Sequence, residues 1–145
     1  MRRWRSNRGV ALVESALVLP LVLLLSVSVF EFGRAFQSWM VLTNASREGA
    51  RLAAMPSGNP TDAEGRVRQY MQSGQLSGHA SAPVSVDRSA TIMVNGVPES
   101  ASLVAIDYPF NFIMLQPVAQ LVVAGSLTGA PLTIHAESVM RNEAP

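Results

Sequence analysis

Residues 10–30 form an apolar run, rich in leucine and valine, with one charge, Glu14. Coiled as an α-helix the run is about 31 Å long, matching a bilayer hydrocarbon core of about 30 Å. Each Leu, Val or Phe favours insertion by about 0.3–0.6 kcal/mol, and together they outweigh the roughly 3 kcal/mol cost of a central carboxylate. Glu14 lies near one end, where that cost is smaller. Pro20 removes the amide that would bond to the Ala16 carbonyl, a change that membrane helices tolerate and that kinks them. Apart from Pro20 nothing stops a helix from Leu12 through Ala54. Past the run, Phe32, Phe36, Met40 and Thr43 recur at three- and four-residue spacing, as a packed stripe does. Two covers fit that stripe, the sheet of the chain's own domain and a neighbouring subunit, and the first is the simpler. Ala45, Gly49, Ala50, Ala53 and Ala54 make a smooth surface suited to close approach, and Glu31/Arg34 and Glu48/Arg51 are placed to pair across one turn. Met55-Pro56-Ser57-Gly58-Asn59-Pro60 then ends the helix.

A second helix is predicted to start at a capping box of Thr61 and Glu64, to bury Ala63, Val67, Tyr70 and Met71, and to close at Gly74. Residues 73–83, rich in Ser, Gly and Ala, read as a loop holding His79. From Val84 the period changes to two. Ala90-Thr91-Ile92-Met93-Val94 runs into Asn95-Gly96, a hairpin signal, and residues 103–110 make a further strand with Val104, Ile106 and Tyr108 on one face. A last strand over residues 132–140 sets Leu132, Ile134, Ala136 and Met140 opposite Thr133, His135 and Glu137. The stretch 111–128, broken by Pro117, is marginal as a second span and reads better as a buried or membrane-apposed connection with a short helix. The pattern as a whole predicts an α+β chain: a long N-terminal helix, a second helix and a small antiparallel sheet.

Composition narrows the chemistry. The chain of 145 residues has no cysteine, which excludes disulfides, thiol catalysis and zinc–thiolate sites. Its eleven basic residues are all arginine, and four of them (Arg2, Arg3, Arg5 and Arg8) precede Gly9, where no acid stands. The remaining seven face ten acids, so the rest of the chain is net acidic and lacks the basic stripe of a nucleic-acid binder. The only histidines are His79 and His135. One histidine beside Glu137 on an exposed strand face is a poor metal site without further ligands. Ser, His and Asp occur, but no motif sets a base beside a nucleophile. No catalytic residue, cofactor, metal or small-molecule substrate is therefore expected.

The arginine cluster before the run, against the mixed Glu31 and Arg34 after it, sets the orientation. By the positive-inside rule the N-terminus stays cytoplasmic and the chain beyond Phe30 is exported. A cleaved signal peptide is the other reading, with Ser26-Val27-Ser28 and Gly33-Arg34-Ala35 as passable small-x-small sites. The unbroken helical pattern through both triplets favours a retained anchor. Basic leader, Gly9, four apolar residues and Glu14 together resemble the cleavage site of type IV prepilins. That resemblance implies a cut between Gly9 and Val10 by a membrane aspartyl peptidase, and pairing of Glu14 with the new N-terminal amine of a neighbouring subunit. A carboxylate among apolar side chains needs a partner or a route to the headgroups, and an interfacial Glu14 that snorkels is the alternative.

Arg8-Gly9-Val10-Ala11-Leu12-Val13-Glu14, followed by Ala16-Leu17-Val18-Leu19-Pro20, resembles the TadE-like family of minor pseudopilins in tight-adherence pilus systems. Phe30-Glu31-Phe32-Gly33-Arg34, Ala45-Ser46-Arg47-Glu48-Gly49-Ala50-Arg51, Tyr108-Pro109-Phe110 and the ending over 136–143 look like the same family. One position departs: Ser15 stands where the family commonly carries Phe or Tyr. The resemblance implies a type IV pilin-like architecture and a structural role assisting assembly of a pilus or related secretion filament. It implies as partners the membrane, a prepilin peptidase, other pilins or pseudopilins and the assembly machinery. The expected organisation is a basic leader over 1–9, a transmembrane segment over 10–30 of a helix reaching about 54, and an exported α+β domain over 55–145. The expected location is a bacterial inner membrane, crossed once, with the C-terminal domain in the periplasm or at the cell surface. A signal-anchored envelope binding module outside any filament is the alternative.

Overall fold

The computed structural model describes residues 6–143, and of residues 6–8 only the backbone. Helix α1 runs without interruption over Ser6–Ala54, 49 residues, and so begins before the Leu12 expected from the pattern. It continues through Pro20. Within the apolar run the Ser26 and Ser28 hydroxyls donate to the carbonyls of Val22 and Leu24 one turn back, which leaves neither hydroxyl unpaired. Ser26-Val27-Ser28 and Gly33-Arg34-Ala35 both lie in uninterrupted helix, with no extended segment at either.

Helix α2 covers Pro60–Ser73. Its cap is Asn59 and not the Thr61 of the expected capping box: the Asn59 side chain accepts from the Thr61 amide at 3.1 Å. Pro60 takes the first helical position, where its preset φ fits and its missing N–H is no loss. Glu64, the other half of the expected box, instead pairs with Arg68 at 2.7 Å. Ala63, Val67 and Met71 are buried as expected, Tyr70 only partly, and Gly74 closes the helix by donating to the Tyr70 carbonyl.

Strands β1 (Val84–Val94), β2 (Val97–Phe110) and β3 (Leu132–Arg141) form an antiparallel sheet in the order β1-β2-β3. Asn95 and Gly96 make the two-residue turn between β1 and β2, both at positive φ, as a type I′ turn requires. β2 starts straight after the turn and is longer than the 103–110 expected. Its inner face carries Val104, Ile106, Tyr108 and Phe110, all buried. On β3, Ile134 and Ala136 are buried and His135 is exposed, as the alternation predicts. Leu132 and Met140 are exposed, a departure: they fall at the two ends of the strand, opposite Phe110 and Ser102.

The chain divides into two compact units, Met1–Arg34 with Asn111–Pro131, and Ala35–Phe110 with Leu132–Pro145. In the second, the α1 surface that packs is the small-residue one: Leu42, Ala45, Ser46, Ala50 and Ala53 are fully buried. Gly49 permits this approach, since a Cβ there would lie 2.4 Å from Val67 Cγ2 of α2 and 3.3 Å from Val104 Cγ1 of β2. Ser46 reaches Ser138 of β3 at 2.9 Å. Phe36 and Met40, expected under the sheet, are instead exposed, and Trp39 joins them. A helix settles closest on its narrowest side, which leaves the bulky side outward. Burial of Leu42, Met71, Ile106, Val67 and Val104 supplies about 1.5–3 kcal/mol each.

Polar clamps tie the loops of this second unit. Arg68 pairs with Glu64 and donates to the carbonyls of His79, Ala80 and Ala82, ordering the loop before β1. A bulge falls between Asp87 and Ala90. There Asp87 accepts from both the amide and the hydroxyl of Ser89, which holds its carboxyl below the usual range. Arg88, turned aside by the bulge, donates to the carbonyls of Met55 and Gly58 just past the end of α1. The Glu143 amide donates to the last α1 carbonyl, that of Ala54, at 2.8 Å. Among the described residues the fold is α+β, with a long apolar N-terminal helix, two further helices and a three-stranded antiparallel sheet, consistent with a pilin-like fold.

Candidate functional site: the N-terminal helix around Gly9 and Glu14

Gly9, Val10 and Glu14 lie on the exposed surface of α1. With Val13 and Leu17 they line one shallow, open depression, because residues three, four and seven apart share a helix face. Its lining is almost wholly apolar, although Glu14 is among the residues that form it. The Gly9–Val10 bond is itself helical. Glycine there lowers the cost of unwinding that turn by roughly 1 kcal/mol relative to alanine. The leader residues 1–5 lie outside the described residues, as do the side chains of residues 6–8, Arg8 among them.

The second acid of α1 has a different environment. Glu31 is fully buried. Its Oε1 accepts from the amides of Ile113 and Met114, at 3.0 and 2.8 Å, and its Oε2 from the Arg34 guanidinium. One carboxylate thus satisfies two amides at the entrance to helix α3 (Leu115–Val122), whose cap position, Met114, offers no side-chain acceptor. Phe32 and Phe112 meet edge to face beside it, ring centres 5.9 Å apart. Sequence spacing identifies the Glu31/Arg34 pair but not the amides, which lie more than eighty residues on. Pro117, read as an interruption, falls in the first turn of α3, where a missing N–H costs nothing.

Farther along α1, Glu48 accepts from Arg51 and from Arg66 of α2. The Arg51 guanidinium beside it, helped by Arg66, holds the Glu48 carboxyl below its usual range, and Glu48 in turn raises Arg51. His135 has more company than sequence indicates: Asp107, its cross-strand partner, meets Nδ1 at 2.8 Å, and Glu137 faces Nε2 at 3.5 Å. The two carboxylates hold the imidazole pKa above its ordinary value, Asp107 the more strongly. Each ring nitrogen thus has its own carboxylate, and among the described residues no group of three His, Asp or Glu is arranged to hold a metal ion.

By length and composition α1 is the one helix among the described residues able to cross a membrane, which suits a single-pass anchor. No curated protein and no solved structure matches the chain. The sequence model of one family, described as TadE-like protein, matches residues 9–51. That range holds Gly9, Glu14, Glu31 and Glu48, while the Tyr108-Pro109-Phe110 and 136–143 resemblances fall outside it. The family is a structural one associated with tight-adherence pilus systems, and residues 9–51 are the part of this chain that is similar to it.

Proposed function

We propose that this protein is a minor pseudopilin-like subunit that assists assembly of a tight-adherence pilus or related secretion filament, a substrate of an enzyme and not an enzyme itself. The observation that carries the reading is the TadE-like match beginning at Gly9 and running through Glu14. In this reading residues 1–9 are a basic leader held in the cytoplasm, residues 10–30 cross a bacterial inner membrane, and residues 55–145 form the exported domain. A prepilin peptidase cuts between Gly9 and Val10. The cut removes every leader arginine and leaves a new amine at Val10, on the same helix face as Glu14. A carboxylate amid apolar side chains gains most from a cationic partner, and the Val10 amine of a neighbouring pilin or pseudopilin supplies one. The exposed Phe36, Trp39 and Met40 support a role that packs helix against helix in an assembly.

Mass spectrometry of the membrane-extracted protein, with and without the peptidase, tests the cut. A chain starting at Val10 only when the peptidase is present is expected, and a full-length chain under both conditions overturns it. Glu14→Ala is expected to preserve membrane insertion and reduce piliation. Unchanged piliation, together with an intact N-terminus, would favour a signal-anchored envelope binding module.

A further inference from the structure

Asn111–Pro131 contains no Asp, Glu, Arg, Lys or His and lies within the longest uncharged stretch of the chain, residues 108–134. It belongs to the same compact unit as Met1–Arg34. Two contacts pin it there, the Glu31 carboxylate on the Ile113 and Met114 amides and Phe32 against Phe112. Both lie within two residues of Phe30, where the apolar run ends. The uncharged stretch is therefore held at the level where the membrane span gives way to water.

What it presents at that level is apolar. Helix α3 buries Leu115 and Ala119 on one side, yet Met114 and Leu121, seven residues apart and so on one face, are exposed, Leu121 by 81%. A helix apolar on both sides belongs in a nonaqueous setting on both. Ile113, Val123 and Leu127 extend the exposed surface, Leu127 by 80%. Contiguous apolar exposure of this kind marks a surface that something covers.

We propose that Asn111–Pro131 is a second membrane contact, an interfacial element whose outer face, with Leu121 and Leu127 at its centre, seats in the boundary between headgroups and acyl chains. The occupant is lipid because the stretch is fastened at the end of the span. The boundary also accepts what the stretch mixes with its apolar side chains, namely Gln116, Gln120, Ser126 and Thr128. With no basic residue the contact does not depend on anionic headgroups, so neutral phosphatidylcholine suffices. The inference rests on the membrane reading of α1.

The test exploits the absence of cysteine from the chain. Full-length protein carrying Leu121→Cys or Leu127→Cys, labelled with an environment-sensitive nitrobenzoxadiazole dye, is reconstituted in phosphatidylcholine vesicles containing lipid spin-labelled near the headgroup. Gln72→Cys, exposed on α2, gives the aqueous reference, and Leu17→Cys reports on the anchor. Quenching at 121 and 127 severalfold above that at Gln72, and unchanged when the protein is diluted in lipid, is the expected result. Quenching at 121 and 127 equal to that at Gln72, with Leu17 quenched by deeper spin labels, overturns the proposal alone. An unquenched Leu17 overturns the anchor reading and the proposal with it. Dye shielding at 121 and 127 without lipid quenching, growing with protein density, overturns it in favour of a second copy of the chain.

Discussion

The two compact units solve the same problem, stabilising backbone away from regular structure, by opposite means. In Ala35–Phe110 with Leu132–Pro145, loops are tied by charged and polar side chains: Arg68 on three carbonyls, Arg88 on two, and Asn142 on Ser100, Ser102 and the Arg88 carbonyl. These clamps surround an apolar core, while Phe36, Trp39 and Met40 of α1 stay outside it. In Met1–Arg34 with Asn111–Pro131, one carboxylate does the tying and apolar side chains stay outside. The difference teaches that one unit closes its loops with its own polar side chains, whereas the other leaves an apolar connection uncovered.

The change expected to break that contrast most is Glu31→Ala. It strips two amides of their acceptor and Arg34 of one partner, a cost of about 3 kcal/mol that corresponds to roughly a hundredfold more opening. Hydrogen exchange is expected to rise at Ile113 and Met114 while β1–β3 keep their protection. Equal loss in the strands would mean that the units do not open separately. Next comes Gly49→Ala, which pushes a Cβ toward Val67, both residues lying within the sheet-containing unit. It is expected to destabilise the sheet-containing unit by about 1–3 kcal/mol in urea unfolding, with exchange at 111–131 unaffected. Asn59→Ala removes the α2 cap and is expected to cost about 1 kcal/mol in the same assay, confined to α2.

The smallest effect concerns His135. Its pKa is raised in the folded chain, so its contribution to stability is fully present below its unfolded pKa of about 6.5 and is lost as pH rises through the folded value. Both partners are exposed, so the direction is the testable quantity. Titration of the imidazole resonances is expected to give a pKa above the ordinary value, and Asp107→Asn to bring it down. An unmoved pKa in that variant would mean that the cross-strand carboxylate is not what holds the proton.

The elements were readable from the chain because their signals are local. The period-two strands, the Asn95-Gly96 turn and the Gly74 stop each declare themselves within a few residues. Where the structure departs from the pattern, the deciding residues lie outside the pattern itself. The Phe36/Met40 spacing defines a face of α1 but not whether the sheet takes that face or its small-residue opposite. Gly49 and its alanines decide it, since only their side admits α2 and β2 so closely. Thr61 and Glu64 have the capping-box spacing, yet Asn59 and Pro60, immediately before them, fit the start better, and Arg68 draws Glu64 away. At the candidate site, Val10 and Glu14 fall within the apolar run, whereas Gly9 precedes it and joins α1 only in the structure. The partners of Glu31 were invisible, because no short-range rule reaches from a carboxylate to amides more than eighty residues on.

That separation also sets a waiting time. Glu31 is made 82 residues before the Ile113 amide that it will hold. At roughly 5–20 residues per second, synthesis alone imposes a delay on the order of ten seconds. Arg34 is finished three residues after Glu31 and is its companion through that interval. The pair that looks like an ordinary one-turn ion pair is thus the first stage of a docking that concludes only when the second half of the chain arrives.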